Sequence, residues 1–182
     1  MKLSTPFTLF AAFSGVWSIV IPRHLPIAQV MTDLTKSIRQ LDKAFIDFRD
    51  DNAHIEPVIK AADQVIATIG NGQKVADQLD PIEIKDAIPL IKPVRNLNKW
   101  VKKLLGDMKI RRLQIQTAKA CTITHEKVHE LNHGSQKLID TVHGKLKAAL
   151  ARAAAKPFID GIKKLLDESE AAFSAERCVN ED

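Results

Sequence analysis

The 182-residue chain sets 27 lysines and arginines against 22 acidic residues, for a formal net charge of +5, with 45% hydrophobic and 27% charged residues. That balance suits one globular domain of about 150 residues, and the positive excess falls well short of a dedicated nucleic-acid binder, so no nucleic-acid partner is expected. With 7 glycines and no tyrosine, a turn-rich β fold is disfavoured.

Met1 and Lys2 give the chain a basic start, and Phe7 to Ile21 is an almost uninterrupted apolar run that stops before Pro22. A run of about fifteen residues is short of the roughly 20 that cross a bilayer and reads as a secretory signal. Small residues at Gly15 and Ser18 offer peptidase sites; cleavage after Ser18 leaves residues 19–182 as a single helical domain with no transmembrane segment. A buried N-terminal helix is the structural alternative. Secretion permits a disulfide, and Cys121 and Cys178 allow one bridge, contributing about 4 kcal/mol in the chain-entropy model. Two separate small apolar residues are the alternative.

From Pro26 the apolar residues Ile27, Val30, Leu34, Ile38, Leu41, Phe45 and Phe48 alternate steps of three and four, one face of a long amphipathic helix. Asp50, Asp51 and Asn52 break it. A second helix has Pro57 in its opening turn, Val58, Ile59, Ala62, Val65, Ile66 and Ile69 inward, and Gly70-Asn71-Gly72 as its end. Asp80 caps a third, whose inward stripe runs Ile84, Ala87, Ile88, Ile91, Val94, Leu97, Trp100, Val101, Leu104 and Leu105, kinked by Pro89 and Pro93. Beyond Gly106 and K-I-R-R, a fourth helix carries Cys121, Thr124, Val128, Leu131, Ser135, Leu138 and Val142 along an unusually polar seam. After Gly144, a last helix carries Leu146, Leu150, Ala154, Phe158, Ile162, Leu165, Leu166 and Phe173, with Pro157 bending or starting it. No segment alternates with period two. The expected class is all-α, a bundle of five long amphipathic helices.

Thr124 to His133 reads T-H-E-K-V-H-E-L-N-H and contains H-E-x-x-H, which places His125 and His129 one turn apart with Glu126 as the base of a zinc protease. A third ligand is required. His133 is too far along the axis from His125, about 12 Å at 1.5 Å per residue, for both to hold one ion. Glu168 or Glu170 would have to serve, and neither sits in a recognisable motif. The histidines also drift off the seam through Thr124, Val128, Leu131 and Leu138 toward a solvated flank. The expectation is therefore no metal, no catalytic residue and no cofactor, with a His125–His129 metal site as the alternative.

The segments D-L-T-K-S-I-R-Q-L-D-K-A-F, V-I-K-A-A-D-Q-V-I-A-T-I, A-I-P-L-I-K-P-V-R-N-L-N-K-W-V-K-K-L-L and G-I-K-K-L-L-D-E-S-E-A-A-F follow one another in this order. They resemble the fungal hydrophobic surface binding protein A family, which includes the cell wall galactomannoproteins. The likeness runs from about Ile27 to Ala175. It implies a secreted five-helix fungal protein of the wall or medium. Such a protein binds hydrophobic solid surfaces, in some cases bringing a secreted esterase to a solid polyester, or carries fatty acids between its helices.

Physically, a bundle with branched aliphatics inward and few large aromatics closes imperfectly and leaves an elongated apolar space. An acyl chain suits it, since each methylene leaving water contributes about 0.8 kcal/mol before ordering costs. The candidate lining is Leu41, Phe45, Ile66, Leu97, Val101, Val128, Leu131, Leu138, Ile162 and Leu166, with ordinary core packing as the alternative for each. The polar fourth helix would orient the head group. For adsorption to a surface, the candidates are Trp100 with Lys102, Lys103, Lys109, Arg111 and Arg112 meeting anionic groups. A host-directed secreted effector is the reading from a different class.

Overall fold

The computed structural model describes residues 25–48 and 55–180. The expected signal, its cleavage after Ser18 and the Asp50-Asp51-Asn52 break lie outside the described residues. Five long helices carry the fold: α1 (Leu25–Asp47), α2 (Glu56–Asp77), α4 (Ile91–Ile110), α6 (Cys121–Lys145) and α7 (Ala149–Ala172). Two short ones, α3 (Ile84–Ala87) and α5 (Arg112–Thr117), lie between them, with a 3-10 turn at Ile88–Leu90. Among the described residues there is no strand, only an isolated parallel bridge between Ile82 and Leu146.

The expected periodicity holds along α1, where Ile27, Val30, Leu34, Ile38, Leu41 and Phe45, with Phe48 just beyond, are all buried. Each long helix packs against two others, α1 on α2 and α4, α6 on α2 and α7, and α7 on α4. The five therefore close a ring, and among the described residues no helix lies at its centre. With neighbouring axes about 9 Å apart, a regular five-membered ring keeps each axis about 8 Å from the centre, and only side chains or a guest can fill that space.

Cross-links set the directions. Lys103 pairs with Asp42, Lys127 with Asp63, Gln73 with Thr141, Lys163 with Asp140 and Lys109 with Glu168. Hence α1, α4 and α7 run one way and α2 and α6 the other. One end, the crown, holds the C-terminus of α1 and the Cys121–Cys178 disulfide, whose Cα atoms are 5.5 Å apart. The opposite end, the base, holds the Ile82–Leu146 bridge and α3.

Four readings of local sequence are corrected. Gly70-Asn71-Gly72 does not end α2, which continues to Asp77 with both glycines at negative φ. A Cβ on Gly72 would lie 2.6 Å from Val30 Cγ1 and 3.3 Å from Leu138 Cδ2, so this glycine lets α1 and α6 close on α2 instead of stopping it. The third helix is split, because Pro89 falls in the 3-10 turn. A 3-10 turn advances about 120° per residue against 100° in an α-helix, so the stripe changes phase across it. Leu90 is buried while Ile84, Ile88 and Ile91, expected inward, are exposed. Leu150, also expected inward, is exposed at the start of α7. Pro157 lies inside α7, not at its start.

Candidate ligand-binding site

The predicted lining residues divide between the two ends. At the crown, Leu41 and Phe45 of α1 and Val128 and Leu131 of α6 meet around a small, partly open apolar cavity of about 20 Å³. Ile55, Val58, Ile59, Ala62, Met108, Ile123, Thr124 and Lys127 complete its wall. The volume holds one water, whereas drug-sized ligands occupy about 300 Å³ or more, so an acyl chain enters only if the wall moves. A larger hollow of about 710 Å³ lies between α1 and α2, but Gln29, Asp33, Lys36 and Gln64 make it a polar surface groove.

Leu138 is buried elsewhere, against Gly72 near the base. Ile66, Leu97, Val101, Ile162 and Leu166 are half-buried. The last four belong to the least packed part of the ring. Along α7 only Ser169 and Ala172 are buried, both in the final turns, while Phe158, Ile159, Ile162, Leu165 and Leu166 stay half-open. In α4 the buried residues Leu104, Leu105 and Met108 all belong to the crown half, and Val94, Leu97 and Val101 are half-buried. The seam between α4 and α7 is thus closed at the crown and loose toward the base.

Met108, Ile123 and Lys127 were missed as lining residues. Met108 continues the Leu104 and Leu105 stripe by one turn, a signal obscured by taking Gly106 as a stop, yet a Cβ on Gly106 meets nothing within 4 Å and α4 runs through it. Among the described residues, Lys127 is the one charged residue in the cavity wall. Its Nζ lies 3.0 Å from Asp63 Oδ1 and 3.3 Å from Glu130 Oε2, and its hydrogen bond to Asp63 above all raises its pKa.

The histidine motif has another occupation. His129 Nδ1 is 2.7 Å from Glu170 Oε1, and the buried Asn132 donates to Glu170 Oε2 and, at 3.3 Å, to Asp167 Oδ1. Gln136 donates to Asn132 Oδ1 at 2.8 Å and to Asp167 at 3.0 Å. These bonds clasp α6 to α7. They hold the Glu170 carboxyl below its ordinary pKa, His129 contributing most and Asn132 next. Glu126 is exposed. Among the described residues no three His, Cys, Asp or Glu side chains gather as a metal site.

The basic candidates on and after α4 mostly have partners. Trp100 is half-buried with the Arg39 guanidinium 4.8 Å from its ring centroid. Lys103 bridges Asp42 at 2.6 Å and Asp107 at 2.7 Å. Burial pushes the Asp42 carboxyl upward in pKa, while the Lys103 hydrogen bond pulls Asp107 down. Lys109 pairs with Glu168, and Arg111 donates to the Phe48 carbonyl at 2.9 Å. Arg112 is half-buried and Lys102 exposed.

The sequence pattern of hydrophobic surface binding protein A matches residues 26–144, well over half of the chain. The chain belongs to the hydrophobic surface binding protein A family. Among solved structures, ligand binding domain 1 of the Penicillium marneffei MP1 protein, complexed with arachidonic acids, superposes with a TM-score of 0.78 at 16% identity. That match covers 84% of this chain and 99% of that one. AFMP4P in complex with palmitic acid superposes at 0.77 with 14% identity, covering 83% of this chain and 99% of that one. Ligand binding domain 2 of MP1, complexed with multiple arachidonic acids, gives 0.74 at 14% identity, covering 82% and 95%. At these identities the likeness is one of fold. No curated protein matches the chain. No helix among the described residues is long and apolar enough to cross a membrane.

Proposed function

We propose that this member of the hydrophobic surface binding protein A family binds long-chain fatty acids between its helices, without catalysis, as a secreted protein of the fungal wall or medium. The observation that carries this reading is the ring itself. Five helices surround a centre that no described helix fills, and the seam between α4 and α7 is its weakest join. Opening that seam joins the half-buried Leu97, Val101, Ile162 and Leu166 to the crown cavity and produces one elongated apolar space. The gain scales with chain length at about 0.8 kcal/mol per methylene, which offsets displacement of a helix that buries little. Lys127, with the buried Thr124 beside it, is the head-group partner on the polar helix α6. The arachidonic and palmitic acids bound to proteins of the same fold support this choice of ligand.

Native mass spectrometry of the purified chain, before and after lipid extraction, tests the reading. Co-purified fatty acid, or saturable binding of palmitate by the extracted protein, is expected. Finding neither would overturn it. A stoichiometric zinc whose removal abolishes peptide cleavage would support the H-E-x-x-H alternative instead.

A further inference from the structure

The base of the ring presents apolar surface that no described helix covers. Ile84 is 47% exposed, Ile88 60% and Ile91 46%. Counted at about 100° per residue to Ile88 and about 120° through the 3-10 turn to Ile91, the three fall within about 40° of one another, and such a stripe differs from the single exposed hydrophobics found on most proteins. Leu150, 74% exposed in the first turn of α7, lies four residues beyond Leu146 of the bridge with Ile82 and adds to this end.

Charge follows the same stripe. Lys85, Lys92 and Lys99 are exposed, and with the 3-10 turn counted at about 120° per residue they stay within about 40° of one another, a second line beside the isoleucines. Asp80 to Lys99 and Lys145 to Asp160 together hold eight lysines and arginines and four carboxylates, with Lys147 paired to Glu83 and Lys156 to Asp160. The local excess of four is most of the net charge of +5 on the whole chain. Aliphatic side chains that can enter the acyl boundary, flanked by lysines whose stems reach back to the headgroups, make an interfacial helix.

We propose that the base of the bundle docks on an anionic lipid bilayer, with Ile84, Ile88 and Ile91 entering the interface and Lys85, Lys92 and Lys99 on the headgroups. Docked this way, the loose α4–α7 seam faces the lipid. That consequence rests on the fatty-acid reading; the docking does not.

Sedimentation of the full chain with vesicles tests the proposal. Vesicles of mixed phosphatidylcholine and phosphatidylglycerol should bind the chain in a salt-sensitive way, and phosphatidylcholine alone only weakly. Replacing Ile84→Ser with Ile88→Ser should lower partition about tenfold. Reversing Lys85→Glu with Lys92→Glu should lower it by more than about tenfold, at about fivefold per basic residue lost. The same reversal at the crown end, Lys60→Glu with Lys119→Glu, should change partition less than about threefold. The proposal is overturned if the isoleucine pair has no effect, if crown and base reversals act equally, or if both vesicle types bind alike. It is also overturned if the chain is a dimer in solution that the isoleucine variant disperses.

Discussion

Two glycines two residues apart in α2 show how much a single methyl group decides. Gly70 is exposed and a Cβ there meets nothing within 4 Å, so Gly70→Ala should stabilise the fold by about 0.5–1 kcal/mol through helix propensity. Gly72→Ala places its methyl against Val30 and Leu138 in a buried three-helix contact and should destabilise by about 1–3 kcal/mol despite the same propensity gain. Urea midpoints of the two variants check the opposite signs. Lys127 yields a binding prediction at the same scale. It already pairs with Asp63 and Glu130, so a ligand carboxylate gains only the difference between partners. Lys127→Met should weaken palmitate binding about fivefold, near 1 kcal/mol, and leave the methyl ester unchanged. Titration calorimetry with acid and ester separates a head-group contact from a packing change.

Among the elements, α7 depends most on polar contacts. Its buried residues are confined to the crown, so the bonds from His129, Asn132 and Gln136 to Glu170 and Asp167 carry much of its attachment to α6. Glu170 has a folded pKa below its ordinary value of 4.5. A depressed carboxyl stabilises the fold fully above that ordinary value, and the contribution is lost as pH falls through the lower folded one. With a side chain 29% exposed, solvent screening holds the magnitude to about 1 kcal/mol. Thermal melts should therefore show Glu170→Gln less stable than the parent at neutral pH, with the gap narrowing steadily below pH 4.5. A gap that widens in acid would contradict the clasp. Elements also differ in how much of them can be read from the chain. The stripe of α1 is legible from Ile27 to Phe48 because an uninterrupted 3.6 period has only one buried face. The end of α2 is not, since a glycine that stops a helix and one that admits a neighbour look alike until the neighbour is placed. Ile84, Ile88 and Ile91 were assigned inward by counting a constant period across Pro89, where the backbone changes pitch.

At the scale of the whole molecule, the five-helix architecture and the cysteine pair are legible in the sequence, but the closing of the ring is not. Amphipathic faces show that helices pack; they do not show that α7 packs less tightly than α1, which depends on interaxial distances. Leu41, Phe45, Val128 and Leu131 come together because each lies on a well-buried stripe, whereas Leu97, Val101, Ile162 and Leu166 carry equally apolar side chains and remain half-open.

The ring also fixes where it can yield. The Cys121–Cys178 bridge ties the segment after α7 to the start of α6 at the crown, with the buried Phe173 between that bridge and the helix. Motion of α7 is then a swing about its crown end. Hydrogen exchange should show the amides of Ala149 to Leu165 opening at least about tenfold faster than those of Leu166 to Ala172, the order expected when local opening follows buried contacts. Palmitate should slow exchange in the first segment and in Val94 to Val101 opposite, while leaving α1 unchanged, because ligand binding stabilises only what it closes. Uniform exchange along α7, or protection confined to the α1–α2 side, would move the entrance elsewhere in the ring.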